Sequence, residues 1–543
     1  MTEPTVQEDA PRSTREPRAS VRSTGGMVAS SQRYASEVGA EILRAGGTAA
    51  DACVAMDAVL HVTEPMSTGL GGDMFVLYYD GSTGHIAALN GSGRAPMGRA
   101  LPDVARDERG SIPQTHGDAV TVPGVCAGWF DLIARFGTVP VSRLLAPAIE
   151  IAGRGFEVGG VASALWERNV GKLRSSALTL DGRPPHAGEV FRNPALARTL
   201  EAIATNGRDA FYRGRTAEAI AGAARAHGGA LAVDDLARHE STWVDAISAG
   251  YRGVRVWECP PNGQGLAALL ALAILEGLPV HPFGSAERAH LQIEALRLGF
   301  ADARWYVTDP AAAPLPVGAF LSRDHVRERR ALVDAERAAT SVKPGVPAGI
   351  PGTVYLCAVD AAGNACSYVS SIFMAFGTGI VPEGLGFALQ NRGYGFSLDS
   401  RHPNVFAPGK RPFHTIIPGM LTNDDGTLLG PFGVMGGVMQ PQGHVQVVTA
   451  LVDDGADPQA ALDRPRFFIE PEIDGGRVYL ESGTPSAVAD GLRAKGHSIV
   501  VDPPTHGRSM FGRGQVILRG RDATLVAGSE SRADGCAIGV ATT

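Results

Sequence analysis

The 543-residue chain has few cysteines, no long apolar run and no excess of positive charge. Its six cysteines contain no C-x-x-C pair, so the sequence signals neither a zinc site nor a redox dithiol. No segment reaches the ~18 consecutive apolar residues that a membrane-spanning helix needs. The formal net charge of −7 argues against nucleic acid or an anionic membrane as the main partner. Isolated thiols are typical of a reducing compartment, and we expect a cytoplasmic protein.

Two further absences limit the chemistry. The 14 histidines show no H-E-x-x-H motif or comparable spacing, so we expect no metal site and no cofactor. The glycine-rich stretch 69–72 (GLGG) lacks the G-K-[S/T] of a phosphate-binding loop. Residues 1–24 are polar and charged without an apolar centre, which predicts a disordered arm and not a signal peptide.

The composition and the residue patterns indicate a globular chain that contains both helices and strands. Hydrophobic residues make up 44% of it, which is enough for a sizeable core. Apolar spacing predicts two helices between residues 31 and 63, with Thr48 and Asp51 forming a capping box at the start of the second. Helical periodicity dominates from about 125 to 310, and strand patterns return after 352. The sequence therefore predicts an α/β protein whose sheets are covered by helices.

The strand that begins at Thr353 follows a Pro- and Gly-rich stretch, PAGIPG. This junction has two interpretations. A linker between domains explains the composition, since Pro and Gly are common in linkers and Thr is favoured in strands. Alternatively, the chain is cut between Gly352 and Thr353. A threonine at a chain terminus has its own base, because the free α-amine titrates at roughly 7.7–8.0.

Several blocks of sequence, in order, favour the second interpretation. They include GGMVASSQRYASEVGAEILRAGGTAADACVAMDAVLHVTEPMSTGLGGDMF, TVYLCAVDAAGNACSY, GPFGVMGGVMQPQGH and SRADGCAIG. The chain resembles the γ-glutamyltranspeptidase family of N-terminal-nucleophile hydrolases over most of its length. The resemblance implies a four-layer αββα sandwich that cuts itself into two subunits. Residues 25–352 then form the large subunit and residues 353–543 the small one, and the two stay associated.

The resemblance also assigns the catalytic positions. Thr353 matches the nucleophile, and Gly352–Thr353 is the cleavage site. Ser371 matches a hydroxyl residue that hydrogen-bonds the nucleophile's amine, for which a polar strand residue is the alternative. Gly436 and Gly437 match a glycine pair whose N–H groups form the oxyanion hole, for which a plain tight turn is the alternative.

The substrate-binding positions depart from the family pattern. Ser92 stands where typical members have the arginine that holds the substrate α-carboxylate, and Arg94, two residues later, is a candidate replacement or a solvated loop residue. His414 and Thr415 replace two serines that help to bind the carboxylate.

The amine-binding positions depart further. Phe373, Arg392 and Gly395 replace the Asn, Gln and Asp that hold the substrate α-amino group. A second cation disfavours an ammonium group. A substrate with a carboxylate and no amine therefore suits the residues present better.

These departures set the functional expectation. The stretch ALQNRGYGFSLDSRHPNVFAPGKRPFHTIIPG resembles a branch that includes oxamate amidohydrolases, and more distant homologues hydrolyse a C–C bond and release oxalate. We expect an amide hydrolase or acyltransferase that acts on a small carboxylate-bearing acyl group. The alternatives are a C–C hydrolase of a secondary-metabolite pathway, a genuine γ-glutamyltransferase or glutathione hydrolase, and an unprocessed, inactive binding protein. A homodimer is left open.

Overall fold

The computed structural model of the chain describes residues 18–339, 351–470, 476–503 and 507–541. Most of the predicted N-terminal arm and of the Pro- and Gly-rich stretch before the junction lies outside these ranges. Within the described part, Val21–Ser23 form a strand that pairs with Leu525–Ala527. Residues 21–23 of the predicted disordered arm are therefore ordered in a strand, because a sheet edge is available to pair with them.

The strands lie mainly at the two ends of the described sequence. They are β1 (Val21–Ser23), β2 (Gly26–Ala29), β3 (Asp73–Tyr79), β4 (Ile86–Gly91), β5 (Phe156–Glu157), β6 (Val190–Phe191), β7 (Thr242–Asp245), β8 (Ile247–Tyr251), β9 (Val254–Glu258), β10 (Pro351–Val359), β11 (Ala365–Met374), β12 (Gly419–Asn423), β13 (Leu428–Met435), β14 (Phe467–Ile469), β15 (Val478–Leu480), β16 (Ile499–Val501), β17 (Arg513–Arg519), β18 (Leu525–Ser529) and β19 (Ala537–Val540).

The helices occupy most of the middle of the chain. They are α1 (Arg33–Arg44), α2 (Ala49–Thr63), α3 (Val125–Phe136), α4 (Val141–Arg154), α5 (Gly160–Asn169), α6 (Pro194–Asn206), α7 (Asp209–Tyr212), α8 (Gly214–Ala226), α9 (Val233–Ala237), α10 (Gly265–Glu276), α11 (Ala286–Tyr306), α12 (Val317–Phe320), α13 (Arg323–Arg330), α14 (Met439–Asp453), α15 (Pro458–Asp463) and α16 (Ser486–Ala494).

Two seven-stranded sheets form the centre of the molecule. Sheet I has the order β1-β18-β17-β13-β12-β9-β8, and sheet II has the order β19-β2-β10-β11-β3-β4-β7. The strand pairs that join neighbours in both sheets are antiparallel. Each sheet is buried against the other on one face and against helices on the opposite face.

Close contacts between side chains and backbone show how the layers stack. A Cβ added at Gly433 on sheet I would lie 2.4 Å from the ring of Tyr355 on sheet II, so the two sheets approach closely there. On the outside of sheet II, Ala49 at the start of α2 donates to Asp360 at the end of β10. On the outside of sheet I, a Cβ at Gly443 in α14 would meet Val434 of β13 at 2.5 Å. The predicted four-layer αββα sandwich is confirmed.

Each sheet combines strands from before and after the Gly352–Thr353 bond. Sheet II places β10 and β11 between β2 and β3, and sheet I places β12 between β13 and β9. A cut at this bond would therefore leave two chains that share both sheets. Their separation would require breaking backbone hydrogen bonds along several strand pairs.

The predicted capping box at the start of α2 is confirmed. Thr48 accepts from the backbone N–H of Asp51 and the Asp51 carboxylate accepts from that of Thr48, as the predicted capping box requires. In the GVMGGVMQPQ segment, which lies in the region where strand patterns return, β13 stops at Met435 and α14 begins at Met439. The intervening glycines have positive φ angles, which end the strand and turn the chain into the helix.

The described helices include none with the length and apolarity needed to cross a membrane. The six cysteines are free thiols, and all but Cys536 are buried. Burial raises the pKa of Cys357 and of Cys126 well above the ordinary thiol range. These residues act as apolar core groups and not as nucleophiles.

Candidate active site

The site is built around an irregularity between β10 and β11. Gly352 pairs with Phe373 while Val354 pairs with Ser370, so two residues of β11 lie opposite Thr353. This bulge bends β11. Phe373 adopts a φ of +73°, a backbone angle that residues other than glycine rarely adopt. The distortion brings the hydroxyl groups of Thr353 and Ser371 within 2.9 Å of each other.

Thr353 is buried and only 2% exposed. Its hydroxyl contacts Ser371, whose own hydroxyl donates to the carbonyl oxygen of Gly352 at 2.7 Å. The backbone N–H of Phe373 donates to the same serine oxygen at 2.9 Å. Ser371 therefore contacts both the threonine and the peptide group that precedes it.

Arg392 is the cation of the site. It follows the β10–β11 hairpin in a short 3-10 turn and is fully buried. Its Nη2 donates to Ser371 Oγ at 3.3 Å and its Nη1 to Thr415 Oγ1 at 2.8 Å. Its guanidinium carbon lies 4.0 Å from the ring centroid of Phe373. Burial lowers the pKa of Arg392, and the nearby Asp73 carboxylate opposes that shift.

Arg392 has no salt bridge to an acidic side chain within the described residues, and its buried Nε has no hydrogen-bond partner there. Its hydrogen-bonding partners are two neutral hydroxyl groups. A buried guanidinium of this kind has unused capacity for an anion, because it can donate five N–H bonds.

The glycine pair is connected to the same network. Gln264 donates from Nε2 to the carbonyl oxygens of both Thr415 and Gly437, at 2.6 Å and 2.8 Å. The φ angles of Gly436 and Gly437 are +140° and +59°. Among the described groups, no acceptor is hydrogen-bonded to either of their N–H groups. Two free backbone donors at a helix start are what an oxyanion hole requires.

Asp73 is a residue of the site that the sequence analysis did not identify. It begins β3 opposite Ser371 in the register of sheet II and is fully buried. One carboxylate oxygen accepts from the N–H groups of Gly93 and Gly124 and from Gln390. Burial raises the pKa of Asp73 to about 6, although these hydrogen bonds and Arg392 favour its charged form.

The other oxygen of Asp73 accepts from His414 Nε2 at 3.1 Å. The N–H of Ile416 donates to His414 Nδ1, so the neutral ring has its proton on Nε2. Burial and the charges of Arg392 and Arg411 hold the pKa of His414 well below its usual range. His414 is therefore a neutral donor that is bound to Asp73.

The predicted site residues fall into two groups. The structure brings together Thr353, Ser371, Phe373, Arg392, Thr415 and Gly437 by direct contacts or through Gln264, with Gly436 adjoining and His414 bound to Asp73. Ser92 and Arg94 lie outside this set of contacts.

Ser92 is buried in a polar cluster with Asn90 and Asn262. Its hydroxyl donates to Asn90 at 2.7 Å and accepts from Asn262. Arg94 is half-buried, forms a salt bridge with Asp309 at 3.1 Å and donates to the carbonyl of Gly409. The predicted carboxylate-binding role of Arg94 stays a prediction, and the salt bridge leaves this guanidinium less available than that of Arg392.

One group of the described side chains is compact enough to share a cation: His290, Glu294 and His497. The two histidines are hydrogen-bonded to each other at 2.7 Å, and His290 Nε2 donates to the carbonyl of Asp334. Glu294 accepts from Arg297 and from a backbone N–H. These contacts satisfy most of the group internally and place a guanidinium beside it, so we assign no ion to it.

The sequence and the fold are both similar to those of known proteins. The family model described as gamma-glutamyltranspeptidase matches residues 35–540. A glutathione hydrolase-like YwrD proenzyme of Bacillus subtilis is 34% identical, over 96% of this chain and 99% of its own length. The oxamate amidohydrolase proenzyme of Klebsiella pneumoniae is 32% identical, over 95% and 99%. The crystal structure of a cephalosporin acylase from Bacillus halodurans superposes with a TM-score of 0.90 at 39% identity, over 99% and 100%.

Proposed function

The chain belongs to the gamma-glutamyltranspeptidase family of N-terminal-nucleophile hydrolases, and from this membership we propose that it is a self-processing threonine amidase. Its own Gly352–Thr353 bond is cut, and Thr353 becomes the first residue of a small subunit. Two relatives are proenzymes by name, which supports such a cut. The two chains stay associated because they share both sheets.

The freed α-amine of Thr353 supplies the base. The hydroxyl attacks the carbonyl carbon of an amide, its proton passes to the α-amine, and the amine then protonates the departing nitrogen. The negative charge that develops on the carbonyl oxygen is held by the N–H groups of Gly436 and Gly437. Water attacks the resulting ester, releases the acid and restores the threonine.

The observation that supports the proposed substrate is the buried guanidinium of Arg392, which has no salt bridge to an acidic side chain in the described part of the chain. It is separated from the Thr353 hydroxyl by one side chain, Ser371, through contacts of 2.9 Å and 3.3 Å. A substrate carboxylate that binds Arg392 lies only a few atoms from the carbonyl that Thr353 attacks. We therefore propose a small acyl group with a carboxylate close to the scissile amide, of which the oxalyl group of oxamate is the shortest example.

An amino acid substrate is disfavoured by the same residues. At the positions where the family holds an α-ammonium group, this chain places a guanidinium over a phenyl ring, Arg392 over Phe373. An ammonium group bound at these positions would lie beside the positive charge of Arg392, and two like charges repel strongly in a site of low dielectric. We infer that γ-glutamyl compounds are poor substrates.

The named relatives agree on the bond type and differ in the acyl group. Their names specify oxamate, cephalosporin and glutathione chemistry. Amide cleavage is common to them, so we favour it over C–C hydrolysis and over a binding role without catalysis. A cytoplasmic location, which the free thiols favour, remains part of the proposal.

The test compares two substrates of the purified, processed protein. We expect oxamate to release ammonia and oxalate, and γ-glutamyl-p-nitroanilide to be turned over much more slowly. Efficient release of p-nitroaniline would show that the amine is accepted in spite of Arg392. A processed protein that releases no ammonia from oxamate or from longer dicarboxylate monoamides would support C–C hydrolysis instead.

A further inference from the structure

Ser371 has more hydrogen-bond contacts in the uncut chain than a resting hydroxyl can satisfy. Its hydroxyl group donates to the Gly352 carbonyl at 2.7 Å and lies 2.9 Å from the Thr353 hydroxyl. It also faces the N–H of Phe373 at 2.9 Å and Arg392 Nη2 at 3.3 Å. A neutral hydroxyl donates one bond and accepts two. The contacts in excess come from hydrogen-bond donors. An oxygen accepts an additional hydrogen bond more readily as it gains negative charge.

The two remaining contacts of Ser371 are the reacting groups of self-cleavage. Thr353 supplies the hydroxyl that attacks, and Gly352 supplies the carbonyl that is attacked. Ser371 lies between them, so its oxygen can accept the proton of Thr353 while its own proton moves to the Gly352 oxygen. When its own proton moves first, the serine oxygen is partly negative until it receives the proton of Thr353.

We propose that Arg392 is a positioning residue for this self-cleavage, acting through Ser371. This rests on the proposed function, because it assumes a cut at Gly352–Thr353. The guanidinium is fixed by Thr415 and by the ring of Phe373, and its Nη2 points a positive charge at the serine oxygen. It thereby stabilises that oxygen while the proton passes, which assists the attack before any substrate is present.

The step balances without a further reactant other than water. A bond forms between Thr353 Oγ1 and the carbonyl carbon of Gly352, and the carbonyl oxygen takes the proton that Ser371 relays. The C–N bond then breaks, that proton moves to the departing nitrogen, and an ester and a free α-amine result. Water hydrolyses the ester to the Gly352 carboxylate and the Thr353 hydroxyl. Arg392 is then free to bind a substrate carboxylate.

The experiment follows the cleavage of freshly synthesised precursor, which needs no substrate. Cell-free translation is sampled over time, and the fraction cut is measured on denaturing gels and by intact mass. We expect Arg392→Gln to slow the cut by about tenfold or more, the effect of one charge-assisted hydrogen bond. We expect Arg392→Lys to cut at an intermediate rate, because an ammonium still donates to Ser371.

The matched control is Arg288→Gln. Arg288 is also a buried arginine, but its guanidinium donates to Asp454 and to the carbonyls of His281 and Thr449, and not to Ser371. This variant is expected to cut at the wild-type rate. Circular dichroism and thermal melting of each product identify any variant that fails to fold.

A chemical rescue separates charge from packing. Arg392→Ala leaves a cavity at the position of the guanidinium. Methylguanidinium can fill this cavity and restore the positive charge, whereas methylurea has a similar shape and is neutral. We expect methylguanidinium to restore the rate and methylurea to leave it unchanged. Equal rescue by both, or a folded Arg392→Gln precursor that cuts as fast as wild type, overturns the role of Arg392. A wild-type chain that is never cut overturns the proposed function itself.

Discussion

Arg392 lies over the ring of Phe373, with its guanidinium carbon 4.0 Å from the ring centroid. The contact supports a buried cation, since the face of the ring is electron-rich. It also fixes the plane of the guanidinium, so that one nitrogen reaches Ser371 and another reaches Thr415. We propose that the position of this cation beside the predicted nucleophile limits which substrates the site accepts.

The first prediction concerns the two candidate arginines. Arg392→Gln should raise the KM for oxamate by roughly 10- to 100-fold, the loss expected for a charge-assisted hydrogen bond to a carboxylate. Arg94→Met should change that KM by less than about threefold, because Arg94 is paired with Asp309. Steady-state kinetics of the processed variants measures both, and a larger effect at Arg94 would reassign the carboxylate site.

The second prediction concerns the oxyanion hole. Gly436 has a φ of +140°, and an added Cβ would lie 3.1 Å from Met439. Gly436→Ala should therefore displace the backbone donors and lower kcat by about 10²- to 10³-fold with a smaller change in KM. The control is Gly426→Ala, in the turn between β12 and β13, where φ is +85° and the space is open.

Both glycine variants should lose some stability, since alanine at a positive φ costs about 1–2 kcal/mol. Only the variant at Gly436 should lose turnover. Equal losses of kcat in the two variants would indicate a general effect of strain and would count against an oxyanion hole at this turn.

The third prediction concerns the pH dependence of stability. The folded-state pKa of Asp73 is raised to about 6, whereas an unfolded Asp titrates near ~3.9. The folded protein therefore retains a proton that the unfolded chain has lost between these values. The stabilising contribution of Asp73 is largest below about pH 4 and is lost as the pH rises through about 6.

Asp73→Asn removes this dependence. We expect the wild type to lose stability relative to Asp73→Asn between about pH 4 and 7, by roughly 3 kcal/mol for a shift of this size. Thermal melting of both proteins across this range measures the difference. Melting temperatures that stay a constant interval apart would show that the Asp73 carboxyl has an ordinary pKa.

Local sequence signals predicted much of the fold. Thr48 and Asp51 are three residues apart, so the capping box they form depends only on neighbouring chain. The strand that begins near Thr353 is likewise predicted by β-branched and aromatic residues that are followed by turn residues. Such patterns depend on residues within a few positions of one another, and the local structure that they predict is present in the folded chain.

The charge network of the site could not be predicted in the same way. Asp73 and His414 are far apart in the sequence and meet only because β3 pairs with β11 and the chain before β12 returns beside them. The GLGG stretch that precedes Asp73 carries no signal for this contact. No spacing rule links these residues, since their contact is set by sheet order and by burial.

The end of β13 shows a limit of a different kind. The apolar residues around Gly436 fit a strand and a buried helix equally well, and the boundary depends on backbone angles that only the folded chain defines. The positive φ of the two glycines places the turn there. This turn exposes the backbone donors on which the proposed mechanism depends.

The most direct test of the account is the intact mass of the purified, catalytically active protein. We predict two chains, one ending at Gly352 and one beginning with Thr353, together with a single uncut chain of 56.5 kDa for Thr353→Ala. Thr353→Ser, which keeps a hydroxyl and a potential terminal amine, should still be cut. Turnover by a protein that consists only of the intact 56.5 kDa chain would contradict the account.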